Sequence, residues 1–435
     1  MWRATTSTGI TAVDTAYLRG PIAFRAVGAE QRLLIVSACP SGLNSCPVKP
    51  TAETPMVPDL LEVTMPATYG AAPATAPELT YVRRWTDWAS GFYYEMNGVN
   101  IGGMWYDAEW DVLWYTYYSS YDGPDDPPFL GASKLNDDGT VTKYGPWKHP
   151  NAAQYYRTSA WWIYGAPASV KAVNANAEMC LGGAVGSTAQ NGNYGPGLYW
   201  YKRPALNTSG SLSASEWGPL MAYSYLFGSA PDIFAQRSPN YTVLGTTNGI
   251  QQPTGGVGRW IASLDQMSGH VWIESASKWG IVTLGRMVKE GRYVTYNHEN
   301  PTTIDGTTYY SNTASASGNT YRSFEIYTGQ ATTPGIEPAM LFFNPAQALE
   351  VEAGMSLPYN VISYSRKNWF DLWNIPIRLG TLGTYPNPGD YQVIYSPAGQ
   401  PSTSTYDPVA QRVLWMTPAT YGASRYPTIQ VWDVN

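Results

Sequence analysis

The chain has 435 residues, a formal net charge of −6 at pH 7 and 13% Asp, Glu, Lys and Arg, about half the ~25% usual for soluble proteins. Without clustered Lys and Arg it carries no electrostatic footprint for nucleic acid, and without an apolar run of about 18 residues it has no membrane-spanning helix. Aromatic residues reach 14%, with 34 Tyr and 18 Trp against 9 Phe, beside 42 Gly and 34 Pro. That bias suits a turn-rich, extracellular all-β protein with exposed aromatic surfaces.

The first stretch, MWRATTSTGITAVDTAYLRG, has no apolar core and does not read as a secretory signal. Export by lysis, as for a virion protein, or a leader already removed would both fit. GPIAFRAV, RLLIVSA and DLLEVTM follow between Gly20 and Met65 as three strand-like runs. Cys39 and Cys46 bracket CPSGLNSC, a loop short enough for a disulfide, with two unpaired thiols as the alternative. The hexapeptide PATYGA then occurs at Pro66 and again at Pro418, each time after an apolar run.

From Gly102, GGMWYDAEWDVLWYTYYSSYDG reads as strand, Tyr-Asp turn and strand, and STSTYDPVAQRVLWMTPATYGA from Ser402 reads the same way. Tyr106-Asp107 matches Tyr406-Asp407, and Leu113-Trp114 matches Leu414-Trp415 with one residue inserted. FLGASKLND, AEMCLGGAV with Cys180 as a buried free thiol, GLYWYKRP, GIVTLGRMV, GRYVTYN, PAMLFFN and PTIQVWDVN add further strands. One helix is expected in NPAQALEVEAG, with Asn344 as N-cap, Pro345 opening it, Gln347 completing a capping box and Gly354 stopping it.

Repeated three- to four-stranded antiparallel units predict a β-propeller. Five to six units are recognisable, so six or seven blades with long loops are expected, as one domain over residues 1–435. PATYGA would be a strand-exit turn in the first and last blades, side by side where the ring closes. Two β-sandwiches are the alternative, disfavoured because no convincing linker divides the chain.

The sequence lacks G-x-S-x-G, G-x-x-x-x-G-K-[ST] and C-x-x-C, and three histidines, His149, His270 and His298, exclude a four-histidine metal centre. Carboxylates remain. Glu274 in GHVWIES and Glu325 in RSFEIYTG stand in strand-like runs and are the candidate funnel acids of a glycoside hydrolase or lyase. Asp107 recurs as Asp407, which points to a turn-forming role. Asp122, Asp125 and Asp126 in YDGPDDPP, with Asp137 and Asp138 in LNDDG, could ligate calcium, although LNDDGT is also a good hairpin turn. No other cofactor is implied. Trp114, Tyr117, Tyr118, Trp161, Trp162, Tyr199 and Trp200 lie in clusters too dense for strict alternation and are the candidate ligand-binding platforms. Packing between blades is the competing role.

LNDDGT resembles in part the Asp-box of sialidase-type propellers, without its Ser/Thr start or spaced Trp. AMLFFNPAQALEVEAGMSLPYNV and the YDP…VLW repeats resemble a set of secreted bacterial and phage proteins read as propellers. The likeness covers about two thirds of the chain and implies an extracellular setting and no activity. The expected function is binding of a carbohydrate or a protein surface, at the cell surface or on a virion, with self-assembly into an oligomer or polymer in view. A glycan-degrading enzyme and a filament or phage-tail subunit are the alternatives.

Overall fold

A computed structural model describes residues 2–3, 21–37, 59–70, 76–89, 99–119, 129–149, 162–183, 197–221, 241–243, 251–253, 264–274, 280–288, 302–304, 307–309, 336–356, 361, 363–368, 378–381, 392–395, 403–421 and 426–433. They form five sheets arranged as a β-propeller, each with four antiparallel strands; in one of them Gly210–Ser211 adds a fifth strand, parallel to Val141–Lys148. From the axis outward, blade 1 is Ile22–Val27, Glu30–Ser37, Asp59–Thr64 and Thr80–Trp85, and blade 2 is Val99–Asp107, Val112–Ser119, Leu130–Leu135 and Val141–Lys148. Blade 3 is Trp162–Gly165, Met179–Gly183, Gly197–Tyr201 and Trp217–Met221. Blade 4 is Leu264–Trp272, Ile281–Val288, Ile336–Phe343 and Ser363–Asn368. Blade 5 is Thr403–Asp407, Arg412–Tyr421 and Tyr426–Asp433, completed by Trp2–Arg3 from the other end of the chain.

Five blades, not six or seven, is the first correction. The length assigned to extra blades sits in segments 222–263, 289–335 and 369–402, each of which contains a two-stranded hairpin among its described residues.

Each sheet is apolar on both faces because each is covered on both faces. In blade 2, Leu113, Tyr115 and Tyr117 pack toward blade 1, while Trp114 on the opposite face packs toward blade 3. Trp162, Trp272 and Phe343 join blades 3 and 4. Ile22, Leu33 and Leu61 meet Leu414, Met416 and Ile429 between blades 1 and 5. The innermost strands run side by side: Ile22 N and Phe24 N donate to Thr403 Oγ1 and Thr405 Oγ1 at 3.4 and 3.3 Å. Trp2 is fully buried, and its indole N–H donates to the Thr68 carbonyl at 2.8 Å. Tyr69 donates to the carboxylate of Asp433.

The first PATYGA therefore follows the third strand of blade 1 and touches the blade that closes the ring. The second is not an equivalent turn: Pro418 to Tyr421 continue the second strand of blade 5. The two copies stand at different strand positions, so the shared hexapeptide does not mark a repeat. The Tyr-Asp turns are equivalent, but without an insertion. Asp107 pairs with Val112 and Asp407 with Arg412, and Asp111 and Gln411 take the same left-handed conformation at φ 54° and 50°. Leu113 thus corresponds to Val413 and Trp114 to Leu414. Matching the two Leu-Trp pairs slips the register by one residue, which would turn every side chain to the wrong blade.

Helix α2, Pro345–Glu352, is capped by Asn344, whose side chain accepts from Ala346 N at 3.0 Å. Gly354 at φ +72° ends it. The capping box does not form, since Gln347 Oε1 has no partner. A second helix not expected from the sequence, α1, spans Ala168–Val173 between the first two strands of blade 3.

Candidate functional site

The inner strands of blades 3, 4 and 5 bring together side chains from separate parts of the chain. His270 is 2% exposed; its ring lies parallel to Trp162 (centroids 4.8 Å, 10°) and to Tyr164 (5.5 Å, 9°). The Tyr164 hydroxyl and His270 Nε2 are 2.8 Å apart. The His270 backbone is clamped by Ser404, whose Oγ accepts from its N–H at 2.8 Å and donates to its carbonyl at 3.1 Å. Burial pushes the imidazole down to about 3, so it is neutral at physiological pH. Loss of hydration holds the Tyr164 hydroxyl well above its ordinary range. Burial also pushes up the thiol of Cys180, the cross-strand neighbour of Tyr164, which is buried and free as expected. The pattern that reveals His270 is its place two residues before Trp272 on one strand, which puts both on the face toward blade 3.

Several charged groups elsewhere are held in ion pairs. Glu62 is fully buried and meets Arg25 Nη1 at 2.8 Å, Arg32 Nη1 at 3.1 Å and Arg83 Nε at 2.9 Å. Asp107 Oδ1 accepts from Glu109 N in the turn, and Oδ2 meets Arg203 at 2.6 Å; Asp407 likewise accepts from Val409 N and meets Arg412 at 2.9 Å. Both are turn carboxylates held by an arginine.

Trp114 and Tyr117 are fully buried, and Trp162, Tyr199 and Trp200 are 3%, 1% and 8% exposed. These five rings pack between blades and are not outward-facing platforms. Tyr118 lies on the strand Val112–Ser119 opposite Asn100. Trp161 lies outside the described residues. Glu274 is exposed at the turn after Trp272, and its carboxylate accepts from Ser169 N at 3.1 Å and Ser169 Oγ at 2.8 Å. It thereby satisfies the start of α1, which has no side-chain cap of its own. Glu325 lies outside the described residues. Asp122, Asp125, Asp126, Cys39, Cys46, His298 and the run GRYVTYN also lie outside them. Asp138 accepts from Thr140 N at 2.9 Å in a hairpin turn, and Asp137 pairs with Arg83 at 2.5 Å. Among the described residues no cluster of three or more His, Cys, Asp or Glu could hold a metal, and no helix is long and apolar enough to cross a membrane. His149 is buried among Phe129, Tyr201 and Trp217.

The two faces of the ring differ. Because strands alternate in direction, each second-to-third connection and each passage to the next blade is tethered to one face. Segments 38–58, 184–196, 222–263, 289–335 and 369–402 all leave from strand ends on that face. The opposite face carries the turns at Gly28, Asp107, Asp138 and Asp407 and the two helices.

No protein-family model matches the chain, and no curated protein sequence does. Among solved structures, the periplasmic gluconolactonase of Pseudomonas aeruginosa is similar at 9% identity and a TM-score of 0.34, over 95% of this chain and 86% of that one. A likeness at that level carries no argument about activity.

Proposed function

We propose that this β-propeller is an extracellular or virion-associated recognition scaffold that binds a carbohydrate or protein surface through the segments tethered to one face. The observation that carries this reading is the unequal division of chain between the faces. Long inter-strand segments are where binding residues concentrate on a rigid scaffold. Their composition fits: residues 150–161 read PNAAQYYRTSAW, mixing Tyr and Trp with small polar residues, as adaptable binding loops do. The buried aromatics hold the blades and leave recognition to these segments.

The test is capture of glycans and candidate protein surfaces by the intact chain and by a Tyr155→Ser, Tyr156→Ser, Trp161→Ser variant, with light scattering to read self-assembly. The expected result is selective retention that weakens at least tenfold in the variant while its urea midpoint is unchanged. Retention untouched by the variant, or absent from the intact chain, refutes the reading.

A further inference from the structure

Three buried polar atoms on the interface between blades 3 and 4 have no hydrogen-bond partner: Trp162 Nε1, His270 Nδ1 and Thr283 Oγ1. Their residues are 3%, 2% and 0% exposed. They are neighbours. Trp162 stacks on His270, and Thr283 is the cross-strand partner of His270, so both side chains leave the sheet on the same face. Tyr164 occupies Nε2 and leaves Nδ1 free for something else. One orphaned polar atom in a protein interior costs about 1–3 kcal/mol, and three at one spot indicate a missing partner.

We propose that Trp162, His270 and Thr283 form a binding site for an uncharged hydroxyl group, supplied by an internal water or by a small polyol. The partner must accept, because the indole N–H only donates. It must also satisfy an imidazole nitrogen and a threonine hydroxyl, each of which can donate or accept, and a single hydroxyl with its two lone pairs and one proton meets that demand. A charged ligand is disfavoured. The imidazole is neutral, the surrounding side chains include Trp272, Ile281 and Phe343, and an unpaired ion in such surroundings costs several kcal/mol.

The experiment pairs imidazole 15N NMR of the full chain, titrated with glycerol and with glucose, with high-resolution diffraction from crystals grown without either. Both are repeated on Thr283→Val, which keeps the shape and removes the hydroxyl. A saturable His270 shift, weakened at least tenfold in Thr283→Val, identifies a polyol hydroxyl as the ligand. No polyol shift, with density bridging the three atoms in the native chain and lost in Thr283→Val, identifies a resident water. Either supports the site. Absent density and absent shift, with Thr283→Val at least as stable as the native chain, overturns it. So does a shift that survives the substitution intact.

Discussion

Glu62 offers the sharpest test of how blade 1 is held. It is fully buried and is shared by Arg25, Arg32 and Arg83, whose side chains are 7%, 13% and 25% exposed. Arg32 keeps Glu30 and Arg83 keeps Asp137 if Glu62 is lost. Arg25 keeps no carboxylate among the described residues: what remains is Tyr106, with its ring at 4.8 Å and its hydroxyl in hydrogen-bonding contact, and the ring of Trp85 at 5.9 Å. Glu62→Gln therefore strands one buried guanidinium, and breaking a buried pair in that way costs about 3–5 kcal/mol. The loss is to be read from urea unfolding followed by tryptophan fluorescence. Adding Arg25→Met removes the stranded charge, so the double variant should recover part of the loss, which makes the two changes non-additive. A Glu62→Gln loss below about 1 kcal/mol, or no recovery in the double variant, would refute the assignment of Arg25 as the dependent partner.

Trp2→Ala removes a fully buried indole and its bond to Thr68, with an expected loss of about 3–5 kcal/mol in the same assay; a change within error would mean the outer strand of blade 5 does not hold the ring. Gly103→Ala drives a Cβ to 2.4 Å from backbone of the neighbouring blade and is expected to lower stability by about 1–3 kcal/mol, again read as a urea midpoint. His270 titrates at about 3 when folded against 6.5 as its ordinary value, so between those limits the unfolded chain binds one more proton. Its stability contribution is complete above the ordinary value and falls as pH drops toward the folded one, by on the order of 5 kcal/mol in all; His270→Gln should flatten that part of the profile of stability against pH. Cys180, buried with its thiol pushed up, should resist iodoacetamide at pH 8 in the native chain and react on unfolding, as peptide mass mapping would register.

Strand positions were legible where β-branched and aromatic runs stood between turn residues, as in GPIAFRAV and PTIQVWDVN. Register was not. The two Leu-Trp pairs invited a match that the sheet faces forbid, because a period of two makes a one-residue offset invisible in composition and decisive in packing. Blade number was not legible either, since residues 222–263 and 369–402 carry strand-like composition, and their described residues form a two-stranded hairpin in each. Helix α2 was readable from its Asn344-Pro345 start. Helix α1 was not, because its N-terminus is satisfied by Glu274, more than a hundred positions away. For the same reason Glu274 resembled a free acid in the sequence. His270 looked like any isolated histidine, and only the meeting of three inner strands gives it partners.

The aromatic surplus has a geometric cause that the same reasoning exposes. Five sheets sharing one full turn diverge more steeply than six or seven, so the wedge between neighbours opens faster toward the rim. A close-packed interior must fill that wedge without voids. The inner strands accordingly use glycine at the closest approaches, to backbone at Gly103 and to the Ser404 and Trp415 side chains at Gly269, while strands further out bury Trp85, Trp147 and Trp2. Tyr115, Tyr117, Tyr199 and Tyr201 fill the intermediate depth, each less than 2% exposed. A Tyr and Trp excess that suggests exposed binding platforms in a chain of unknown blade number is, in a five-bladed ring, first a requirement of the wedge. The recognition proposed above is then to be sought not among the buried rings but in the segments tethered to one face, whose sequence offers Tyr155, Tyr156 and Trp161.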